Sequence, residues 1–298
     1  MSLEALADAP GGAADLLAAD EALGAGAIDL FALVTATRAV VEEAVALVRA
    51  MLERPIDNWA KEDRSPVTDV DLAVDRFLRP RLQALFPAAW LSEETIDEPG
   101  RLQADRVWVV DPIDGTRSLI EGSGQFCISV ALVEAGRPVL GVVANPSSGE
   151  RFYGCRGGGA FDGTGQRLKV SHPAPGARLR LLVSATELRY GLWHDIGGEF
   201  ELAARSSLAY KLALVAAGDV DATLTPWPRS EWDAAAGHLL VELAGGDASD
   251  IGGHPLRYNR PAPIFDGIAA GGRATLARVA GLRDELLRRR ERRRDTEG

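Results

Sequence analysis

Residues 106 to 116, RVWVVDPIDGT, constrain the fold of this chain more than any other stretch. An apolar, β-rich run ends in two aspartates, Asp111 and Asp114, separated by Pro112 and Ile113. The run belongs in the interior of a sheet, yet two carboxylates repel each other and resist loss of water. Both demands are met only if the strand is buried along its length and something at its C-terminal end offsets the charge.

The surrounding pattern supplies the sheet. DLFALVTATRAVVEEAVALVRAMLER repeats apolar residues at helical spacing behind Asp29, a suitable N-cap, and Pro55 closes it. A second helix is expected over DVDLAVDRFLRPRLQALF, broken or kinked near Pro80. Short β-rich runs follow at RVWVV, QFCISVALV, PVLGVVAN and ERFYG, which predicts an antiparallel meander. After SHPAPGAR the order becomes strand RLLVSA, helix SLAYKLALVAAG, strand DATLT and helix EWDAAAGHLLVELAGG, which predicts a second sheet of parallel character. The chain is therefore a layered α/β protein whose site is expected between its halves. With 298 residues and 46% hydrophobic content it can bury a large core. We divide it into a poorly ordered lead-in (1 to 28), an N-terminal half with the acidic site (29 to 175), a C-terminal half (176 to 275) and an Arg-rich helical tail (276 to 298).

Several functions are disfavoured. The formal charge of -10 argues against nucleic acid as the main partner. Residues 283 to 298 carry seven basic and five acidic residues, which leaves the body at -12, and the tail is expected to be a solvated helix end. No apolar run is long enough to span a bilayer and the opening residues do not resemble a signal peptide, so a cytoplasmic protein is expected. Cys127 and Cys155 are expected to be reduced structural thiols. The four histidines lie 16 or more residues apart and match no zinc spacing, and no GxSxG elbow is present. GCRGGGAFDGTG lies between strands and reads as a hairpin loop rather than a dinucleotide fingerprint.

The carboxylates remain. LSEET places Glu93 and Glu94 after an apolar run, and SEWDAAAG places Asp233 at the start of a helix whose next residues are small. Oxygen ligands without histidine or thiolate select Mg²⁺ or Mn²⁺. Pro112 can aim Asp111 and Asp114 at one point, with the Ile113 carbonyl as a further oxygen. Gly115 lets the backbone approach a ligand, and the amides of Gly115 and Thr116 would open a helix suited to phosphate oxygens. The plainer reading of D-P-x-D-G is an Asx turn. In KEDRSPVTDVD, Asp71 can take the hydroxyl proton of Thr116, making a pair that draws a proton from a water held by the metal. Lys61 is either near the phosphate or a surface lysine.

LSEE, WVVDPIDGT, EWDAAAG and KEDRSPVTDVD stand in the order and approximate spacing of the inositol monophosphatase superfamily, which this chain resembles over residues 29 to 272. The resemblance implies an αβαβα sandwich and a Mg²⁺-dependent, lithium-sensitive phosphomonoesterase with two or three metal ions. By motif, Glu93, Asp111, the Ile113 carbonyl, Asp114 and Asp233 look like metal ligands. Asp71 and Thr116, with Glu93, look like the catalytic group, and Gly115 and Thr116 like phosphate binders; Asp114 and Asp233 also border the substrate. Among the subfamilies, KEDRSPVT, GQFCISVAL, SSLAYKLALVAAG and PLRYN look most like bacterial 3'(2'),5'-bisphosphate nucleotidases. Pro226 stands where inositol monophosphatases carry a glutamate for an inositol hydroxyl, which agrees. Arg205 replaces a usual glycine and either binds a second phosphate or lies at the surface. Inositol 1-phosphate and histidinol phosphate are the alternative substrates, and a regulator binding RNA or protein through the tail is the non-catalytic alternative. Monomer and homodimer are both open.

Overall fold

The computed structural model describes residues 28–62 and 65–297, so the expected lead-in lies, apart from Ile28, outside the described residues. Helix α1 (Leu30–Met51) starts where Asp29 Oδ1 accepts the amides of Phe31 and Ala32 at 3.0 and 2.9 Å. A short antiparallel hairpin, β1 (Asn58–Ala60) and β2 (Pro66–Thr68), leads into α2 (Asp69–Leu85). The interruption expected at Pro80 is not a break, because α2 is continuous through it. Pro80 lies on the exposed side of the helix, where water can satisfy the carbonyl that loses its partner.

The first sheet contains β3 (Ala89–Ser92), β4 (Arg106–Asp114), β5 (Cys127–Glu134), β6 (Arg137–Ala144), β7 (Arg151–Cys155) and β8 (Gly159–Asp162), in that spatial order. The five-residue helix α3 (Thr116–Ile120) follows β4. The expected meander is present, and the glycine-rich stretch forms the β7–β8 hairpin. Strand β3, not anticipated from sequence, pairs parallel to β4.

The second half runs β9 (Leu179–Val183), α4 (Ala185–Arg189), β10 (Phe200–Ala204), α5 (Leu208–Ala217), β11 (Ala222–Thr225), β12 (Arg229–Ser230), α6 (Glu231–Leu243), β13 (Asp247–Ser249), β14 (Ile264–Phe265), β15 (Ile268–Gly271), α7 (Arg273–Arg278) and α8 (Ala280–Glu297). Its five-stranded sheet has the order β10-β9-β11-β15-β13. Parallel character holds for β9, β10 and β11, whereas β15 runs against both of its neighbours.

Alternation along β4 shows why the layers form. Trp108 and Val110 pack with Val41, Val45 and Val74 of α1 and α2, whereas Val107 and Val109 face Ala213 and Ala235 of α5 and α6. Helices α5 and α6 lie between the two sheets, and Gly237 lets them approach: a Cβ there would lie 2.4 Å from Cβ of Leu212. On the far side, Leu188, Trp193, Leu276 and Leu286 cover Leu181, Val183 and Leu224 of the second sheet. The result is the α/β, αβαβα sandwich that the resemblance implied. The tail departs from expectation because α8 is docked. Leu286 is fully buried, Arg283 Nε donates to the Ile251 carbonyl at 3.0 Å, and Arg289 Nη1 to that of Leu192 at 3.1 Å. Arginine stems cover apolar surface while their heads find carbonyls, so composition alone misjudged this helix. No helix among the described residues is long and apolar enough to cross a membrane.

Candidate active site

The site forms where β3 and β4 end side by side. Ser92, the last residue of β3, pairs with Val110, so Glu93 just beyond β3 stands level with Asp111 of β4. The β4–β5 ladder then shifts register between Asp111 and Asp114, where Pro112 can give no ladder hydrogen bond. Ile113 N donates to Asp111 Oδ1 at 3.0 Å, so the Asx turn is real. It occupies one carboxylate oxygen only. Asp111 Oδ2 is buried and has no hydrogen-bond partner.

Asp233 arrives from the other half, at the third position of α6. Its Oδ2 accepts the Ser230 amide at 3.2 Å in a capping box. Glu93, Asp111 and Asp233 each place a carboxylate oxygen within 4.8 Å of the others. Burial, followed by the charges of Glu93, Asp114 and Asp233, pushes the Asp111 carboxyl well above its ordinary range. Asp233 is raised likewise, by burial and then by Asp114 and Glu93. A buried acceptor without a donor inside an all-oxygen set fits a hard divalent cation.

Asp114 is held differently. Its Oδ2 accepts Ser207 Oγ at 2.8 Å and the Ala209 amide at 2.7 Å, both at the start of α5. Burial nevertheless raises its pKa. Gly115, the N-cap of α3, has φ +100°, and a Cβ there would lie 3.0 Å from the Gln125 carbonyl oxygen. Thr116 Oγ1 lies 2.9 Å from Asp71 Oδ1 and 3.2 Å from the Ile113 carbonyl. Asp71 itself is buried and accepts the Thr68 amide at 2.9 Å and the Thr68 hydroxyl.

Lys61 matches neither expectation fully. It is partly buried on the β1–β2 connection, and its Nζ meets Glu93 at 2.8 Å and Glu94 at 2.7 Å. Burial acts to lower its pKa, but the two glutamates outweigh it and raise the value. Burial pushes Glu94 up to about 7 against the pull of Lys61. Arg205 is half-buried and its Nε has no partner.

Sequence reasoning missed several participants. Asp75 accepts Ser92 Oγ at 2.6 Å and Thr95 Oγ1 at 3.0 Å, fixing the turn that carries Glu93. Thr68 was legible as the first residue of a T-x-x-D capping box. Lys211 was legible as a lone cation in a helix apolar on every side, and it is 2% exposed. Ser207 and Arg229 carried no signal beyond their place beside motifs.

A layered α/β sandwich with a hard-ligand acidic cluster at paired strand ends defines a class of phosphoric monoester hydrolases, and this enzyme is one. The chain belongs to the inositol monophosphatase family, whose profile matches residues 29–287. It is 36% identical over 231 residues to the 3'(2'),5'-bisphosphate nucleotidase CysQ of Aggregatibacter actinomycetemcomitans, covering 74% of this chain and 85% of the relative. It is also 36% identical over 210 residues to the fructose-1,6-bisphosphatase/inositol-1-monophosphatase of Thermotoga maritima, covering 66% and 77%. Among solved structures, a Thermotoga maritima IMPase superposes with a TM-score of 0.73 at 28% identity, covering 84% of this chain and 96% of that one. CysQ of Bacteroides thetaiotaomicron gives 0.67 at 26% identity, covering 80% and 96%. Members of this family use divalent metal ions.

Proposed function

We propose that this enzyme removes the 3'-phosphate of adenosine 3',5'-bisphosphate, giving AMP and phosphate, with Mg²⁺ held by Glu93, Asp111, the Ile113 carbonyl, Asp114 and Asp233. The observation that carries the reaction is the Thr116–Asp71 hydrogen bond beside the acidic cluster. The identity to CysQ nucleotidases supports the substrate.

Divalent ions held by Glu93, Asp111, the Ile113 carbonyl, Asp114 and Asp233 would offset the charge of the phosphate and lower the pKa of the attacking water. Thr116 Oγ1 takes a proton from that water as it gives its own to Asp71 Oδ1. Burial raises the proton affinity of Asp71 against the lowering hydrogen bonds of Thr68 and Thr116, which suits it as the final acceptor. The water oxygen forms a bond to phosphorus as the ester bond on the opposite side breaks, with no phosphoenzyme, and the departing 3'-oxygen takes up a proton from solvent to give the 3'-hydroxyl of AMP. Gly115 and Thr116 line the phosphate, and Arg205, just before the Ser206–Ser207 pair, meets the second phosphate.

The Thermotoga maritima relative, named for a sugar and a cyclitol phosphate, favours the second reading of a simpler phosphomonoester. Phosphate release with Mg²⁺ separates the two. Adenosine 3',5'-bisphosphate should exceed inositol 1-phosphate, fructose 1,6-bisphosphate and histidinol phosphate in kcat/KM by at least about tenfold, or about 1.4 kcal/mol. The reverse order would sink the nucleotidase reading. Asp111→Asn should lower kcat by about two orders of magnitude or more; retained turnover at saturating Mg²⁺ would remove Asp111 from the metal site.

A further inference from the structure

Between β11 and β12 the chain loses its ladder. Thr225 pairs with Ile268 and Arg229 with Phe265, so Pro226, Trp227 and Pro228 stand opposite only Asp266 and Gly267. Neither proline has an N–H to give, and the carbonyl of buried Pro226 needs a donor from elsewhere. That donor comes from α8. Arg290 Nη1 lies 2.5 Å from the Pro226 carbonyl and 2.5 Å from Asp266 Oδ1, with Nη2 3.2 Å from Asp266 Oδ2. The Arg290 side chain is 7% exposed, whereas Arg288 and Arg292 of the same helix are 57% and 64% exposed and pair with Glu285. One buried guanidinium therefore bridges both strands across the gap.

The gap leads directly to the site. Arg229, the first residue beyond it, donates to Thr225 Oγ1 at 3.2 Å, lies 3.7 Å from Glu187, and is close enough for its charge to act on Asp233. Ser230 follows, and its amide holds Asp233 Oδ2. The β12–β14 ladder that carries both residues is two residues long on each strand, too short to fix its own register. Arg290 itself lies past the last residue matched by the family profile.

We propose that Arg290 is a positioning residue: by clamping Pro226 and Asp266 it fixes the segment 226–230, and through Ser230 and Arg229 it places the Asp233 carboxylate in the acidic cluster. The inference rests on the metal-site reading given above. The planar fork of arginine reaches a carbonyl and a carboxylate together, whereas a lysine reaches them with a single point charge.

The test uses the full chain and Mn²⁺ as the probe, with bound ion measured by the loss of free Mn²⁺ EPR signal and the fold followed by circular dichroism. Arg290→Met should weaken Mn²⁺ binding about tenfold while the chain stays folded, and should raise the Mn²⁺ concentration for half-maximal phosphate release by a similar factor. Arg290→Lys should fall between it and the wild type, and Arg288→Met should match the wild type. Should Arg290→Met fail to fold, Asp266→Asn opens half the clamp at a carboxylate that is 64% exposed and should weaken Mn²⁺ binding by a smaller factor. A folded Arg290→Met, or Asp266→Asn in its place, with wild-type Mn²⁺ affinity overturns the clamp alone, leaving Arg290 a staple for the tail. A wild-type chain that binds no Mn²⁺ overturns the metal-site reading, and the clamp with it.

Discussion

Lys211 is the residue whose surroundings differ most from its chemistry. It sits in α5 at 2% exposure, and burial pushes its pKa down to about 8, with Glu187, Asp114 and Asp233 pulling it back up and Arg229 adding to the fall. Because the folded value is below that of a free lysine, the unfolded chain binds more protons between about pH 8 and about pH 10.5. Stability therefore rises with pH through that window and is flat, as far as this group goes, below it. Lys61 does not disturb the comparison, since its raised pKa costs stability only above the free-lysine value. Urea melts in chelator at about pH 8 and about pH 10 should show the wild type gaining some 2 to 3 kcal/mol relative to Lys211→Met. Equal gains would mean that Lys211 keeps its proton in the fold. At this scale the sequence singled out Glu93, Asp111 and Asp233, whose carboxylates the fold brings together, because residue type and spacing point to hard-cation chemistry. It did not disclose Ser207, which acts on Asp114 from 93 positions away.

Among the elements, α2 shows how local rules yield to placement. Proline inside a helix removes one hydrogen bond and costs about 3 kcal/mol, yet α2 continues past Pro80 because the packed stripe Val70, Val74, Leu78 and Leu82 lies on the opposite side. Each of those side chains contributes roughly 1.5 to 3 kcal/mol by burial, enough together to outweigh the defect. Pro80→Ala should restore the lost bond and, after the greater freedom of the unfolded chain is allowed for, stabilise the protein by about 1 to 2 kcal/mol. A calorimetric melting temperature at or below that of the wild type would show that the helix is already adapted to the proline. Periodicity made α1, α2, α5 and α6 legible, since each buries a continuous face. Strands β3, β10, β13 and β15 escaped because three to five residues give too short a pattern, and because partners distant in the chain decide their pairing.

For the whole molecule, the tail changes meaning once it is docked. Read as a solvated appendage, it could be removed without effect. Instead, Leu286 closes the outer core and Arg283, Arg289 and Arg290 satisfy carbonyls of the C-terminal half. Truncation after Val279 should lower the melting temperature by several degrees, since loss of the Leu286 contacts alone costs roughly 1.5 to 3 kcal/mol. An unchanged melting temperature would return the tail to the solvent.

The sequence by itself determined the reaction class and the layers. An apolar strand ending in D-P-x-D-G, with a distant glutamate and a W-D helix start, is a chemical statement that needs no coordinates. Alternating and helical periods likewise state which faces are covered. Tertiary structure decided what depends on meetings between remote segments: Asp233 joining Glu93 and Asp111, Asp71 reaching Thr116 across 45 positions, and Arg290 closing the gap beside Pro226. The physical reason is range. Backbone propensity and burial act within a turn or a strand and leave a periodic trace, whereas a hydrogen bond or a shared charge acts over about 3 to 5 Å of space and leaves none.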